Sequence, residues 1–293
     1  MSNHIYHEAS SVNITLVYNP KSGSSLSKQE LRDKCNSANI TIDKFVAIGD
    51  GFERKLKTTI RDGKNIAVIG GDGTVSSVAS LVAGTKAVLI PLPGGTLNHF
   101  TKDLGVPQDI DKALERLAKL KLRSIDIVSV GGVKFINNSS IGIYPLSLRS
   151  REKLESKLGK WLAAVIASWR AFVDLKTYQV TIDGKSFKTP FIFIGNNRYE
   201  LDELGGTKRL HLDQGTLTIY IAKTKLRLDL LKISLFALVG HAKDLDEFEQ
   251  FYPTSVTIET KRSKLSVSHD GEVTELTSPL HYKIHPKTLK ILG

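Results

Sequence analysis

The chain has 293 residues, enough for two ordinary domains, and its hydrophobic content of 41% is normal for a protein with a sizeable core. Its single cysteine, Cys35, excludes an intrachain disulfide and fits a reducing compartment. The formal net charge of +11 predicts an acidic partner, which is nucleic acid, a phosphorylated ligand or an anionic membrane surface, and the charge does not choose among them.

Targeting and nucleic-acid signals are missing from the sequence. Residues 1–20 lack the basic flank and apolar run of a signal peptide. The longest apolar stretches, 161–169 and 230–240, are too short to span a bilayer. Neither zinc-finger spacing nor an aromatic RNA-binding motif occurs, so we expect no nucleic-acid partner. These features predict a cytoplasmic protein, with anionic lipid at the inner membrane face as one candidate partner.

The first 125 residues alternate between strand-like and helix-like segments. β-Branched and apolar runs predict four strands, at 12–19, 40–48, 65–70 and 86–92. Amphipathic runs between them predict three helices, at 27–38, 51–63 and 74–84. The run at 65–70 is short, apolar and without alternation, as in a parallel strand buried on both faces. The alternation predicts a doubly wound α/β domain, in which ligands bind at the carboxyl ends of the strands.

The pattern changes after about residue 125. Strand-rich runs occupy 124–144, 178–197, 215–222 and 255–273, and helical runs occupy 146–173 and 226–240. The Asp-Gly pairs at 183–184 and 270–271 are hairpin turn signals. We therefore predict a second domain of mostly antiparallel β-structure over 128–278. The first domain then covers 1–127, with the segment 279–293 packing back on it.

A glycine cluster, IGGDGTV at 69–75, lies where the third strand ends and a helix begins. Glycine is costly in regular structure and belongs where the backbone bends sharply or approaches something closely. Free N–H groups at a helix start favour anions, so the cluster fits a phosphate. Asp72 fits such a site if Mg²⁺ lies between its carboxylate and the phosphate. The alternative is a glycine-rich bend without a ligand.

Two other loops follow strands in the same way. IPLPGGTLNHF at 90–100 contains Gly94, Gly95, Thr96 and Asn98 after the fourth strand, and NPKSGSS at 19–25 follows the first. Because the carboxyl ends of parallel strands meet at one edge, we expect these loops to share one crevice.

Together GGDGT (70–74), PGGTLN (93–98), NPKSG (19–23) and DGE (270–272) resemble the diacylglycerol kinase catalytic domain family, which includes bacterial lipid kinases, sphingosine kinases and ceramide kinases. The resemblance implies a nucleotide-binding α/β domain, a β-sandwich domain, and a cleft between them for ATP and a lipid hydroxyl. It implies a cofactor-binding set for ATP and Mg²⁺, namely Asn19, Gly70, Gly71, Asp72, Gly73, Thr74, Gly95 and Thr96. It further implies Asp72 and Asp126 in the metal network, and a catalytic pair of Glu272, the general base, and Asp270. Only domain packing can bring Glu272 near Asp72.

Two positions depart from the family pattern. His99 stands where many members have an aspartate of the metal network, and Mg²⁺ prefers oxygen ligands. Gln214 in LDQG (212–215) replaces the second acid of a stretch that binds a structural Mg²⁺ in some bacterial members, so no structural metal site is predicted there.

The sequence leaves two questions open. The apolar faces of 154–169 and 225–240 fit either a core or a membrane surface, and a kinase of membrane lipids needs at least one surface that contacts the bilayer. The function predicted is a lipid kinase dependent on ATP and Mg²⁺. The alternatives are a soluble-substrate kinase such as an NAD kinase, whose later TDG motif is not visible, and a non-catalytic nucleotide- or lipid-binding regulator.

Overall fold

The computed structural model describes residues 12–20, 26–117, 120–142, 178–182, 184–201, 207–222, 248–260 and 263–293. The chain forms two compact units, one of residues up to Ser124 together with Leu289–Gly293, the other of Ile125–Thr288. The helices predicted at 146–173 and 226–240 lie outside the described residues. Within the described ranges, no helix has the length and apolarity needed to cross a membrane.

The first unit is an α/β domain. Its strands and helices in chain order are β1 Val12–Tyr18, α1 Lys28–Ser37, β2 Ile40–Ala47, α2 Phe52–Arg61, β3 Asn65–Gly70, α3 Asp72–Val82, β4 Val88–Pro93, α4 His99–Asp103 and α5 Ile110–Leu117. The four strands pair in parallel in the order β2-β1-β3-β4. The chain therefore changes direction between β1 and β3, which is where doubly wound sheets open a ligand crevice at their carboxyl edge.

Local sequence signals explain most of these elements. Helix α1 begins with a capping box, in which the Ser27 hydroxyl and the Glu30 carboxylate each accept the other residue's backbone N–H. Helix α2 buries Leu56 and Ile60. Helix α3 begins at Asp72, two residues before the predicted start, because the glycine cluster forms its first turn.

Two helices were not predicted, α4 and α5. Asp109 precedes α5, and its carboxylate accepts the Lys112 N–H, which is a helix-start signal visible in the sequence. Helix α4 has only five residues and follows a left-handed Asn98, so it has too few residues to show a helical period.

The second unit is a β-sandwich, as predicted. Its strands are β5 Leu122–Val130 (from Ile125), β6 Val133–Phe135, β7 Asn138–Ile141, β8 Tyr178–Ile182, β9 Lys185–Thr189, β10 Ile192–Asn196, β11 Glu200–Leu201, β12 Thr207–Lys208, β13 Leu217–Ala222, β14 Phe248–Phe251, β15 Ser255–Glu259, β16 Lys264–His269, β17 Glu272–Thr277 and β18 Leu280–Leu292, the last of which ends in the first unit. One antiparallel sheet runs β14-β13-β10-β7-β16-β17, and a second runs β18-β15-β8-β9. Their inner faces share one apolar core, which includes Ile194, Val267, Ile258 and Tyr282.

The hairpin predicted at Asp270-Gly271 is confirmed. His269 pairs with Glu272 across a two-residue turn, and both turn residues have positive φ, 44° for Asp270 and 87° for Gly271. Two left-handed residues are what a hairpin turn with the right-handed strand twist requires, and Asp-Gly is a preferred pair for it.

Candidate active site

The two glycine loops of the first unit lie directly against each other. Gly70 pairs with Pro93 at the ends of β3 and β4. A Cβ atom on Gly94 would lie 2.6 Å from the Gly70 nitrogen, and one on Gly95 would lie 2.4 Å from the Gly71 Cα atom. Both distances are far inside van der Waals contact. Part of the glycine requirement therefore comes from loop-to-loop packing, in addition to the phosphate or the sharp bend that the sequence indicates.

Two side chains fix these loops. Asn98 is left-handed, with φ 51°; its Oδ1 atom accepts the Gly95 N–H at 2.9 Å and its Nδ2 atom donates to the Gly95 carbonyl at 3.0 Å. Asp72 reaches the start of α4, where its carboxylate accepts the N–H groups of His99 at 3.1 Å and Phe100 at 3.0 Å. Asp72, which lies in the first glycine loop, thus caps α4, the helix that follows the second glycine loop. Asn98 was not among the predicted site residues, although asparagine tolerates left-handed backbone better than other residues with a side chain.

The third predicted loop begins at the same edge of the sheet. Tyr18 pairs with Ile69, so Asn19 leaves β1 beside the point where Gly70 leaves β3. Residues 21–25 of this loop lie outside the described residues. Asp72 and Thr74 are half-buried in the first turn of α3, and Thr96 is exposed. The structure therefore brings together the predicted cofactor-binding residues of the first unit at one carboxyl edge.

Asp72 fits a Mg²⁺ ion bound together with phosphate. Each carboxylate oxygen accepts one backbone N–H and keeps a further lone pair. Mg²⁺ at phosphoryl-transfer sites takes one or two carboxylates and completes its shell with phosphate oxygens and water. Among the described residues, no cluster of three or more His, Cys, Asp or Glu side chains could hold a metal. The exposed His99 follows Asn98 beside this carboxylate.

Asp126, in the second unit, is fully buried and ties chain segments together. Its Oδ1 atom accepts the Lys287 N–H at 2.8 Å and its Oδ2 atom accepts the Gly215 N–H at 2.7 Å. Its own N–H donates to the Leu212 carbonyl at 2.8 Å. These contacts fit an anchoring carboxylate better than a direct metal ligand. Its place in a metal network stays a prediction.

The two acids of the DGE hairpin differ sharply in their surroundings. Asp270 is buried, and its carboxylate accepts three backbone N–H groups, from Ile136, Asn137 and Asn138, at 2.8 to 3.0 Å. Glu272, the first residue of β17, is exposed. Of the predicted catalytic pair, Glu272 is therefore the carboxylate accessible to a substrate hydroxyl. Its approach to Asp72 stays a prediction.

Two further side chains of the second unit, His269 and Gln214, are held by hydrogen bonds. Burial lowers the pKa of His269, while the negative charges of Asp270 and Glu272 act in the opposite direction. Its Nε2 atom lies 2.8 Å from the Thr274 hydroxyl. At the position of the missing acid, the Gln214 Oε1 atom accepts the Arg198 N–H at 3.1 Å, so a neutral side chain with its own hydrogen bond occupies this place.

Comparison with known proteins shows one matching family and several similar relatives. Residues 13–130 match the model of the diacylglycerol kinase catalytic domain. The chain is 27% identical over 273 residues to a diacylglycerol kinase of Bacillus subtilis (strain 168), covering 88% of each chain. It is 27% identical over 222 residues to a diacylglycerol kinase of Staphylococcus aureus (strain JH9), covering 71% of this chain and 70% of that protein.

A solved structure shows the same fold. A diacylglycerol kinase from Bacillus anthracis str. Sterne superimposes with a TM-score of 0.66 over 96% of both chains, at 20% identity. Residues 13–130 match the diacylglycerol kinase catalytic domain family, and the solved structure shows the same fold. The resemblance drawn from the motifs, the two-part α/β and β-sandwich architecture and the enzyme class, a kinase of this family, are confirmed.

Proposed function

We propose that this protein is a lipid kinase that uses ATP and Mg²⁺ to phosphorylate the hydroxyl group of diacylglycerol or a related lipid. One observation carries the proposal, the contact between the two glycine loops at the carboxyl edge of the parallel sheet, where β1 also ends, within the matched kinase domain. Relatives of similar length that are called diacylglycerol kinases support the substrate class.

In this proposal the two domains have separate tasks. The first, 1–127 with the returning segment 279–293, binds the nucleotide; the second, 128–278, binds the lipid. Asn19, Gly95 and Thr96 contact the nucleotide, and residues 70–74 hold its phosphates. The half-buried edge around Gly71 and Asp72 supports these roles, because backbone N–H groups at the start of α3 are available there.

Phosphoryl transfer depends mainly on positioning and charge neutralisation. Mg²⁺ bound by Asp72 and the phosphates, with Asp126 in its network, would neutralise the charge that moves to the leaving group. Glu272 accepts the proton of the lipid hydroxyl as this oxygen attacks the γ-phosphorus. Asp270 contributes by anchoring the hairpin, since its carboxylate is occupied by backbone N–H groups.

The substrate class requires contact with a bilayer, so we propose peripheral association with anionic lipid at the inner membrane face, in a cytoplasmic protein without a nucleic-acid partner. The net charge of +11 supports this. The segments 154–169 and 225–240 are the candidate contacts from the sequence; both lie outside the described residues.

The test is transfer of labelled γ-phosphate from ATP, with and without Mg²⁺, to mixed micelles of single lipids. The panel contains diacylglycerol, monoacylglycerol, sphingosine, ceramide and phosphatidylglycerol. Glu272→Gln removes the proposed base at an exposed position, and Glu275→Gln on the same exposed strand serves as the matched control. We expect transfer to one lipid, lost in Glu272→Gln and retained in Glu275→Gln.

Two results would overturn the proposal. Transfer that survives Glu272→Gln removes the base assignment. If the protein phosphorylates no lipid but binds Mg-ATP in calorimetry, the non-catalytic regulator is favoured. If it phosphorylates a soluble acceptor such as NAD, the soluble-substrate kinase is favoured.

A further inference from the structure

Residues 136–138, which form the turn after β6 and the first residue of β7 and are called turn 136–138 below, have every backbone polar group hydrogen-bonded. Its three N–H groups donate to the carboxylate of Asp270. The Ile136 carbonyl accepts from the side chains of Asn196 and Arg209, at 2.9 and 2.6 Å. The Asn137 carbonyl accepts from the Asn196 N–H and the Tyr199 hydroxyl, and the Asn138 carbonyl from the Asp270 N–H. Hydrogen bonds on both sides make this turn rigid.

Arg209 is the unusual member of this cluster. It is only 1% exposed and heads the largest fully buried side chains among the described residues. Its Nη1 atom donates to the Ile136 carbonyl, its Nη2 atom donates to the Asn137 Oδ1 atom at 2.6 Å, and its guanidinium lies 5.4 Å from the centre of the Tyr199 ring. The planar fork of arginine thus binds two successive residues of the turn, a geometry that lysine cannot reproduce.

The hydrogen bonds of Arg209 compensate for the burial of its charge and fix the position of the groups that they bind. Transfer of an ion from water to a protein interior is unfavourable, and well-packed apolar residues at such places are often neutral or stabilising. What the arginine provides is a fixed geometry for turn 136–138. Asp270 binds the opposite side of the same turn. The position of the turn therefore fixes the position of the hairpin tip, which contains Asp270 and Gly271. Glu272 is the next residue along the chain.

We propose that Arg209 is a positioning residue, which acts through turn 136–138 and Asp270 to hold Glu272 where it accepts the proton of the substrate. The inference rests on the proposed function, because it concerns the same reaction. It assigns to a buried arginine of the second unit an effect on the chemical step and none on nucleotide binding.

The first experiment separates kcat from KM. Arg209→Met removes the fork at similar volume, and Arg209→Lys keeps the charge. We expect kcat to fall about 10- to 100-fold in Arg209→Met, since a misplaced base loses much of its contribution, while KM for ATP stays within about twofold. Arg209→Lys recovers part of the loss. An unchanged kcat in Arg209→Met, in a folded protein, overturns the proposal.

Two controls address folding and charge. Tyr282→Phe removes a buried hydroxyl bonded to Ser139 in the core of the same unit, so it lowers the melting temperature without removing any hydrogen bond of residues 136–138. Arg198→Met removes an exposed arginine whose guanidinium lies 4.4 Å from the Tyr252 ring centre. Both should leave kcat within about twofold of the parent, since neither holds the turn. If Tyr282→Phe lowers kcat as much as Arg209→Met, the effect is general destabilisation and the proposal fails.

The second experiment is a double-variant cycle. If Arg209 acts through Glu272, then Arg209→Met has no further effect on the residual turnover of Glu272→Gln. Multiplied losses in the double variant would show that Arg209 acts by another route.

Hydrogen exchange tests the coupling without turnover. In Arg209→Met the peptides covering 136–138 and 269–273 should both exchange at least about tenfold faster than in the parent, and peptides of β3 and β4 should not change. Unchanged exchange at 269–273 overturns the positioning role whatever the activity. A third outcome separates the two proposals. If 269–273 exchanges faster in Arg209→Met but the parent protein phosphorylates no lipid, the coupling of Arg209 to the hairpin is supported and the proposed function is rejected.

Discussion

The contact between the glycine loops makes a sharp and asymmetric prediction for two adjacent substitutions. In Gly95→Ala the new Cβ atom would lie 2.4 Å from the Gly71 Cα atom, 3.0 Å from the Asn98 Oδ1 atom and 3.1 Å from the Gly71 nitrogen. In Gly71→Ala the nearest atom would be the Gly95 Cα atom at 3.5 Å, which is ordinary contact. The same pair of loops therefore has room for a methyl group on one side and none on the other.

The magnitudes follow from this difference. Relief of a 2.4 Å contact requires the loops to separate by about 1 Å, and overpacking of this kind costs about 1–3 kcal/mol. We expect the melting temperature of Gly95→Ala to fall by roughly 2–10 °C. Gly71 has φ −76° and ψ 176°, which alanine adopts readily, but it is the N-cap of α3, where glycine is preferred over alanine. The two effects oppose each other, so Gly71→Ala should change the free energy of unfolding by less than about 1 kcal/mol.

Activity then separates packing from ligand binding. Displaced loops should reduce kcat/KM for ATP about 100-fold in Gly95→Ala. If phosphate approaches Gly71, Gly71→Ala should keep its melting temperature and still lose affinity for ATP, measured by calorimetry. Parent-like stability in Gly95→Ala would refute the packing argument, and parent-like ATP affinity in Gly71→Ala would refute the phosphate contact there.

Three further predictions concern single side chains. Burial raises the pKa of Cys35 to about 11, so the thiol should react with a disulfide reagent at pH 8 at least about 100-fold more slowly than in urea; equal rates would contradict its burial. The pKa of His269 is lowered in the folded protein, so the unfolded chain binds the proton more tightly and stability should fall as pH drops below about 6.5. In thermal melts His269→Gln should reduce the dependence of the melting temperature on pH in this range. An unaltered pH dependence would exclude His269 as its cause. Asp72→Asn leaves a single acceptor for two backbone N–H groups, so it should lower the free energy of unfolding by about 1 kcal/mol. It should also raise the Mg²⁺ concentration needed for half-maximal activity. An unchanged Mg²⁺ requirement would contradict the assignment of Asp72 as a ligand.

The order of elements could be predicted because it depends on local pattern. The run NIAVIG is apolar without alternation and forms a strand buried along most of its length, and the Asp-Gly pair at 270–271 forms a hairpin turn. Helix α5 could also have been predicted, since Asp109 caps it.

The contacts of the site residues that the sequence did not indicate are distant in sequence. The Asp270 carboxylate bonds N–H groups 132 to 134 residues away, so its anchoring role has no sequence signal. In the same way, the reason for glycine at 94 and 95 appears only once the register of β3 against β4 is known. The glycine motifs indicate that the backbone is closely approached at these positions. Only the pairing of β3 with β4 shows that the approaching group is the other loop.

The end of β18 has a consequence for how the protein folds. Leu289 and Ile291 belong to the first unit, are fully buried, and Ile291 pairs with Leu89 of β4. Burial of two such side chains contributes about 3–6 kcal/mol, a large part of the stability of a small domain. During synthesis the first unit therefore lacks its outer strand until residues 125–288 have left the ribosome. A chaperone that covers the open edge of β4 in this interval would protect the nascent chain from strand-to-strand aggregation.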